Sequence, residues 1–158
     1  MKEGIGLKGW FKIDHYDKAG NLMETMETPN LITVDGRNEV AELIGTDTTS
    51  TATAFDYIGV GTGTTAATTA DTALETEITE NGLTRAASDG TVVTTTTAGD
   101  TFQLVNTFSP TSTYAVTESG VFNHETAGSG ELLCHQTFSA INVTNGDSLA
   151  VTWKIKVA

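Results

Sequence analysis

Residues 149–157 read Leu-Ala-Val-Thr-Trp-Lys-Ile-Lys-Val. Apolar side chains fall on every odd position and small or polar ones on every even position. Successive side chains of a strand point to opposite faces, so this segment has one face for a core and one for water. It commits the chain to a sheet covered on one side. The rest of the sequence is punctuated to match. Phe102, Leu104, Asn106 and Phe108 alternate with Gln103, Val105 and Thr107. Asp89-Gly90 reads as a hairpin turn, and Ala98-Gly99-Asp100, Ala127-Gly128-Ser129-Gly130 and Asn145-Gly146 read as further turns. Turn signals recur roughly every 8–12 residues, the spacing of an all-β domain.

The remaining strands follow from the same reading. Gly6 to Tyr16 is a strand anchored by Leu7, Phe11 and Ile13, and Asp17–Asn21 turns it back through Leu22 to Thr28. Phe55 to Val60 is a short apolar strand with the place of a central one. Leu83 to Ala87, Tyr114 to Asn123 and Glu131 to Phe138 complete the set. One helix is expected, capped by Asp35 and carrying Val40, Leu43 and Ile44 on one buried face at i, i+3, i+4, with Gly45 as a left-handed stop. Two to three turns do not stand alone, so the helix must pack on a sheet. The fold class is therefore mainly β, an antiparallel sandwich or jelly-roll-like barrel with one short helix. With 158 residues the chain forms one structural domain. Within it, residues 1–29 form an N-terminal strand and hairpin region, a candidate interaction arm, and residues 30–158 the sandwich proper.

Charge sets the partners. The net charge of −12 argues against nucleic acid and anionic membrane, whose phosphates demand lysine and arginine. The positive charge is also unevenly placed. Lys2, Lys8, Lys12 and Lys18 fall in the first strand region, and Lys154 and Lys156 in the last; between Asn38 and Trp153 the only basic residue is Arg85. Terminal strands are often neighbours in a sandwich. Lys8, Lys12, Lys154 and Lys156, with the apolar Ile5 and Leu7 beside them, thus make a candidate docking patch for an acidic partner. Solvated lysines that blunt sheet edges are the plainer reading of the same residues.

Motifs that carry chemistry are missing. Gly59-Val60-Gly61-Thr62-Gly63 lacks the lysine and the following helix of a phosphate loop, and reads as a bulge or a close backbone approach. His15, His124, His135 and Cys134 stand at no metal-binding spacing. Cys134, alone of its kind, reads as a small buried apolar residue, with His135 on the opposite face of the strand. No Gly-x-Ser-x-Gly elbow is present. No catalytic residue, cofactor site or metal site is assigned. Glu118 is the one acid that stands out, in the weakly polar strand Tyr114–Phe122 beside Gly120, which suggests a bulge. It is expected to be a buried polar staple, held by backbone amides or by Arg85.

In order along the chain come Asn30-Leu31-Ile32-Thr33 and a short helix, Ile58-Gly59-Val60-Gly61-Thr62-Gly63-Thr64, Leu74-Glu75, Arg85, and Thr117-Glu118-Ser119-Gly120-Val121-Phe122. The close is Phe138, Ile141, Val143, Gly146-Asp147 and Leu149–Trp153. This series, from about Asn30 to Val157, resembles small structural proteins of tailed bacteriophages. The resemblance implies a non-enzymatic virion component, made in the bacterial host's cytoplasm. In such a family a decoration (cement) protein sits as a homotrimer on the assembled shell and clamps the major capsid protein. A tail, baseplate or fibre part with receptor or glycan binding is the alternative. A small hydrolase using two acids is a third reading, since twenty acids will bring some pair together.

Overall fold

The computed structural model describes residues 6–45 and 50–157. Ile5, expected in the docking patch, lies outside them. The described chain forms ten strands and one helix: β1 Leu7–Tyr16, β2 Leu22–Pro29, β3 Leu31–Ile32, α1 Val34–Ile44, β4 Tyr57–Gly61, β5 Ala86–Ala87, β6 Asp89–Val93, β7 Thr101–Phe108, β8 Tyr114–Phe122, β9 Leu132–Val143 and β10 Ser148–Val157. The strands assemble into two five-stranded sheets, ordered β2-β1-β10-β7-β6 and β3-β9-β8-β4-β5, and every pairing is antiparallel. The fold is a β-sandwich with a single short helix.

The alternation in β10 does what its sequence demands. Leu149, Val151, Trp153 and Ile155 are buried between the sheets. Its neighbour β1 runs antiparallel from the pair Leu7–Val157 to the pair Tyr16–Ser148, and adds Phe11 and Ile13 to the same core. Trp153 is fully buried and donates its indole N–H to Ser119 Oγ at 3.3 Å, so the largest core side chain leaves no orphan donor. The N-terminal hairpin β1–β2 is part of the first sheet. Its turn is built by Asp17, whose carboxylate accepts the backbone N–H groups of Ala19 and Asn21, and by Gly20 at φ +82°.

Four local expectations are corrected. Asp89-Gly90 is not a hairpin turn. The chain crosses there from the second sheet (β5) to the first (β6), and Gly90 is needed because the Phe102 ring occupies the space of a Cβ. The helix is capped by Thr33, which accepts the Gly36 N–H at 2.9 Å, and not by Asp35. Gly45 is extended, at φ −101°, rather than left-handed. The register of β8 on β9 shifts twice, between Val116 and Glu118 and between Val121 and Phe122, but not at Gly120 itself, which makes room for Leu132 and Leu74.

The helix also buries less than its pattern promised. Leu43 is 46 % exposed and Ile44 83 %. The reason lies in the first turn, where Gly36 rests directly against the Leu133 backbone of β9. That contact fixes one end of the helix. Val40 then packs against the core, while Leu43 lines an open apolar groove of about 360 Å³ with Phe55, Phe102, Leu133 and Ile155.

Candidate functional site

The outer face of the second sheet is not left to water. Residues 62–85, which link β4 to β5, fold back over it. The glycine phrase of β4 explains how. A Cβ at Gly61 would meet Glu118 and the Thr76 carbonyl, and one at Gly63 would meet Glu75 and Glu118. With no side chains in the way the segment lies flat on the sheet. Thr62 N–H donates to Thr76 O and Ile78 N–H to Val60 O, each at 2.9 Å. Leu74, Phe122 and Leu132 form a small second core beneath the cover.

Glu118 is the centre of this arrangement. It is completely buried, and its carboxylate accepts three backbone N–H groups: Gly63 at 2.9 Å, Glu75 at 2.9 Å and Thr76 at 2.7 Å. It also faces His135 Nε2 at 3.2 Å, and His135 Nδ1 lies 2.7 Å from Asp71. Burial by itself would push the Glu118 carboxyl up. The hydrogen bonds from His135 and from the three amides outweigh it, and the carboxyl is held below its ordinary range. Burial likewise pulls His135 down, but its two carboxylate partners win and raise it. For Asp71 too burial is opposed, by Thr68 and His135, and the net direction is down.

The expected pairing of Glu118 with Arg85 does not form. Arg85 is buried elsewhere and pairs with Glu77 through two parallel bonds, Nε to Oε1 at 2.8 Å and Nη2 to Oε2 at 2.7 Å. Its Nη1 donates to the carbonyls of His124, Thr126 and Ser129, and its guanidinium lies 3.5 Å above the Phe122 ring. It thereby ties residues 77, 85 and the β8–β9 connection together. Cys134 is fully buried, and burial raises its thiol well above its ordinary value. His15 is buried with Nε2 3.1 Å from Asp147, and His124 Nδ1 accepts the Thr126 N–H. Among the described residues no group of three or more His, Cys, Asp or Glu is arranged to hold a metal ion.

A pH dependence follows from the Asp71–His135–Glu118 row. Depressed carboxylates stabilise the fold above their ordinary values, 4.5 for glutamate and 3.8 for aspartate, and lose this as pH falls through the lowered ones. The raised histidine stabilises it below its ordinary 6.5 and loses this as pH rises through the elevated value. The row is therefore strongest on the mildly acidic side, between 4.5 and 6.5. Unfolding midpoints followed into mild alkali are expected to fall for the wild type as His135 gives up its proton. In His135→Gln that alkaline loss should be absent. Equal alkaline slopes in the two proteins would count against the ion row.

The lysines of the first and last strands are placed on one surface. β1 and β10 pair so that Lys8 stands opposite Lys156, Trp10 opposite Lys154 and Lys12 opposite Thr152. Side chains opposite each other share a face, here the outer face of the first sheet. Leu7 falls on the inner side, at the rim of the apolar groove. The four lysines are not equivalent. Lys156 is tied to Asp100 and Thr96, and Lys12 to Asp14 at 2.6 Å. Lys8 and Lys154 make no ion pair among the described residues. Trp10, absent from the patch that the sequence predicts, stands half-buried among them. The signal was available: with Phe11 and Ile13 inward, position 10 must face out.

Comparison with protein-family models, with curated proteins and with solved structures finds no match.

Proposed function

We propose that this chain is a structural protein of a tailed-phage virion, a decoration protein that binds the assembled shell as a homotrimer and contacts the major capsid protein. The observation that carries the docking part is the gathering of lysines on one sheet face of a chain with net charge −12; two of them, Lys8 and Lys154, make no ion pair among the described residues. A face of that kind meets an acidic partner in a set orientation, while the acidic remainder keeps decorated particles apart. The order of sequence phrases supports the virion assignment. The structure's most distinctive polar groups support a non-enzymatic role. Glu118 and His135 have the chemistry of an acid and a base, but the fold occupies both oxygens of the one and both nitrogens of the other. The mechanism is mass action: a protein that binds only the assembled shell shifts the equilibrium toward the intact particle.

Purified protein mixed with capsids that lack it, then imaged, tests the proposal. Ordered density on expanded capsids is the expected result, with binding that weakens as salt rises. Absence of capsid binding overturns it, and binding to host cell surfaces or glycans instead selects the tail or fibre alternative.

A further inference from the structure

Trp10 divides the basic face into two hollows. One, of about 80 Å³, is lined by Trp10, Lys12, Glu27, Thr152 and Lys154. The other is a cleft of about 350 Å³ at the corner where β1 and β2 meet β3 and the start of α1. Its walls include Lys8, Trp10, Pro29, Asn30, Ile32 and Arg37. Lys8 and Arg37 are both exposed, so the cleft carries two cations on a strongly acidic chain. Proline, isoleucine and the indole give it apolar walls. Asn30 adds a third property. Its Oδ1 and Nδ2 are both shielded from water and neither has a hydrogen-bond partner. The amide is folded against Gly9, where a Cβ would leave no room for it. Buried amides without partners are uncommon and costly. An asparagine amide offers one acceptor and two donors, the complement of a peptide group.

We infer that this cleft is a docking groove for an extended, acidic protein segment, with Trp10 as its anchor. Trp and Arg are the side chains that most often carry binding energy at protein interfaces, and both stand here beside a hollow rather than on a flat surface. Lys8 and Arg37 orient the segment's carboxylates, and Lys154 extends the same field across the sheet. Asn30 turns outward to pair with the segment's main chain. Net charge disfavours a nucleic acid in the same place. The inference deepens the decoration reading, on which the identity of the partner rests: the segment is then an acidic arm or loop of the shell subunit.

Three blocked probes test the groove on the full chain: a decapeptide of alternating glutamate and threonine, its glutamine counterpart, and a short oligothymidylate. Trp153 is fully buried, so acrylamide quenching reads Trp10. The glutamate peptide is expected to shield Trp10 and to shift the amide resonances of Lys8–Trp10 and Asn30–Ile32, more weakly at high salt. The exposed double reversal Lys8→Glu with Arg37→Glu should lower its affinity by about tenfold or more, with the unfolding midpoint unchanged. Equal binding of the glutamine peptide, tighter binding of the oligothymidylate, no binding of the glutamate peptide, or indifference to the reversal overturns the inference. Capsid decoration separates the two proposals. Wild type that fails to decorate sinks the decoration reading alone, whereas decoration unchanged by the reversal sinks the groove alone.

Discussion

Replacing Glu118 with alanine should destabilise the fold by about 3–5 kcal/mol, the usual cost of breaking a buried ionic group from its partners. The carboxylate accepts three backbone N–H groups, and water does not reach it. Its removal strands those donors and leaves His135 with only Asp71. It also opens a hollow under the 62–78 segment, since Gly61 and Gly63 have no side chains to fill it. Glu118→Gln should recover only a minor part, because its amide nitrogen meets donors where an oxygen stood. Equilibrium denaturation near neutral pH reads the effect. Combining Glu118→Ala with His135→Gln should cost clearly less than the sum of the two, as expected for residues in one network. A loss within about 0.5 kcal/mol, the range of an ordinary surface substitution, would show that Glu118 does not hold the segment.

Arg85→Ala is the second large effect, again about 3–5 kcal/mol. The informative variant is Arg85→Lys. It keeps the charge but has a compact ammonium in place of a planar fork. It cannot at once pair both oxygens of Glu77, reach three carbonyls of the β8–β9 connection and lie flat on Phe122. Lysine is therefore expected to recover less than half of the alanine loss. Hydrogen exchange should rise in residues 123–131, where those carbonyls are fixed. If lysine restores full stability, the geometry of the guanidinium is not what matters. Arg37→Lys, on the exposed face of α1, is the matched control and should be nearly silent.

How far the sequence spoke depended on whether a signal was local. The alternation of β10 names its buried residues without any partner, because a strand's two faces follow from its own geometry. Glu118 is legible for a similar reason: a lone acid in a weakly polar strand that reads as buried must find donors. Which donors is not legible. Gly63, Glu75, Thr76 and His135 reach it only through the register of β4 on β8 and of β8 on β9, including the irregularity after Val116, and through the fold-back of residues 62–78. The same holds for Arg85, whose partner Glu77 lies eight residues away while Glu118 lies on another strand. Asp89-Gly90 misled because glycine serves both turns and close approaches, and here the Phe102 ring decides. The helix misled because three apolar residues define a stripe but not where the helix touches. Gly36 sets that contact, and it leaves Leu43 half-open.

The pairing of β1 with β10 has a mechanical consequence. Leu7 stands opposite Val157, so the first and last described strands begin and end at the same corner of the sandwich. Tension applied through both of those ends would open the ladder like a zipper, rung after rung, each bond bearing the load alone. Tension applied at Tyr16 and at Val157, at opposite ends of the ladder, would instead slide β1 along β10 and load all its rungs at once. The same ladder is thus weak when pulled from its shared corner and strong when pulled along its length.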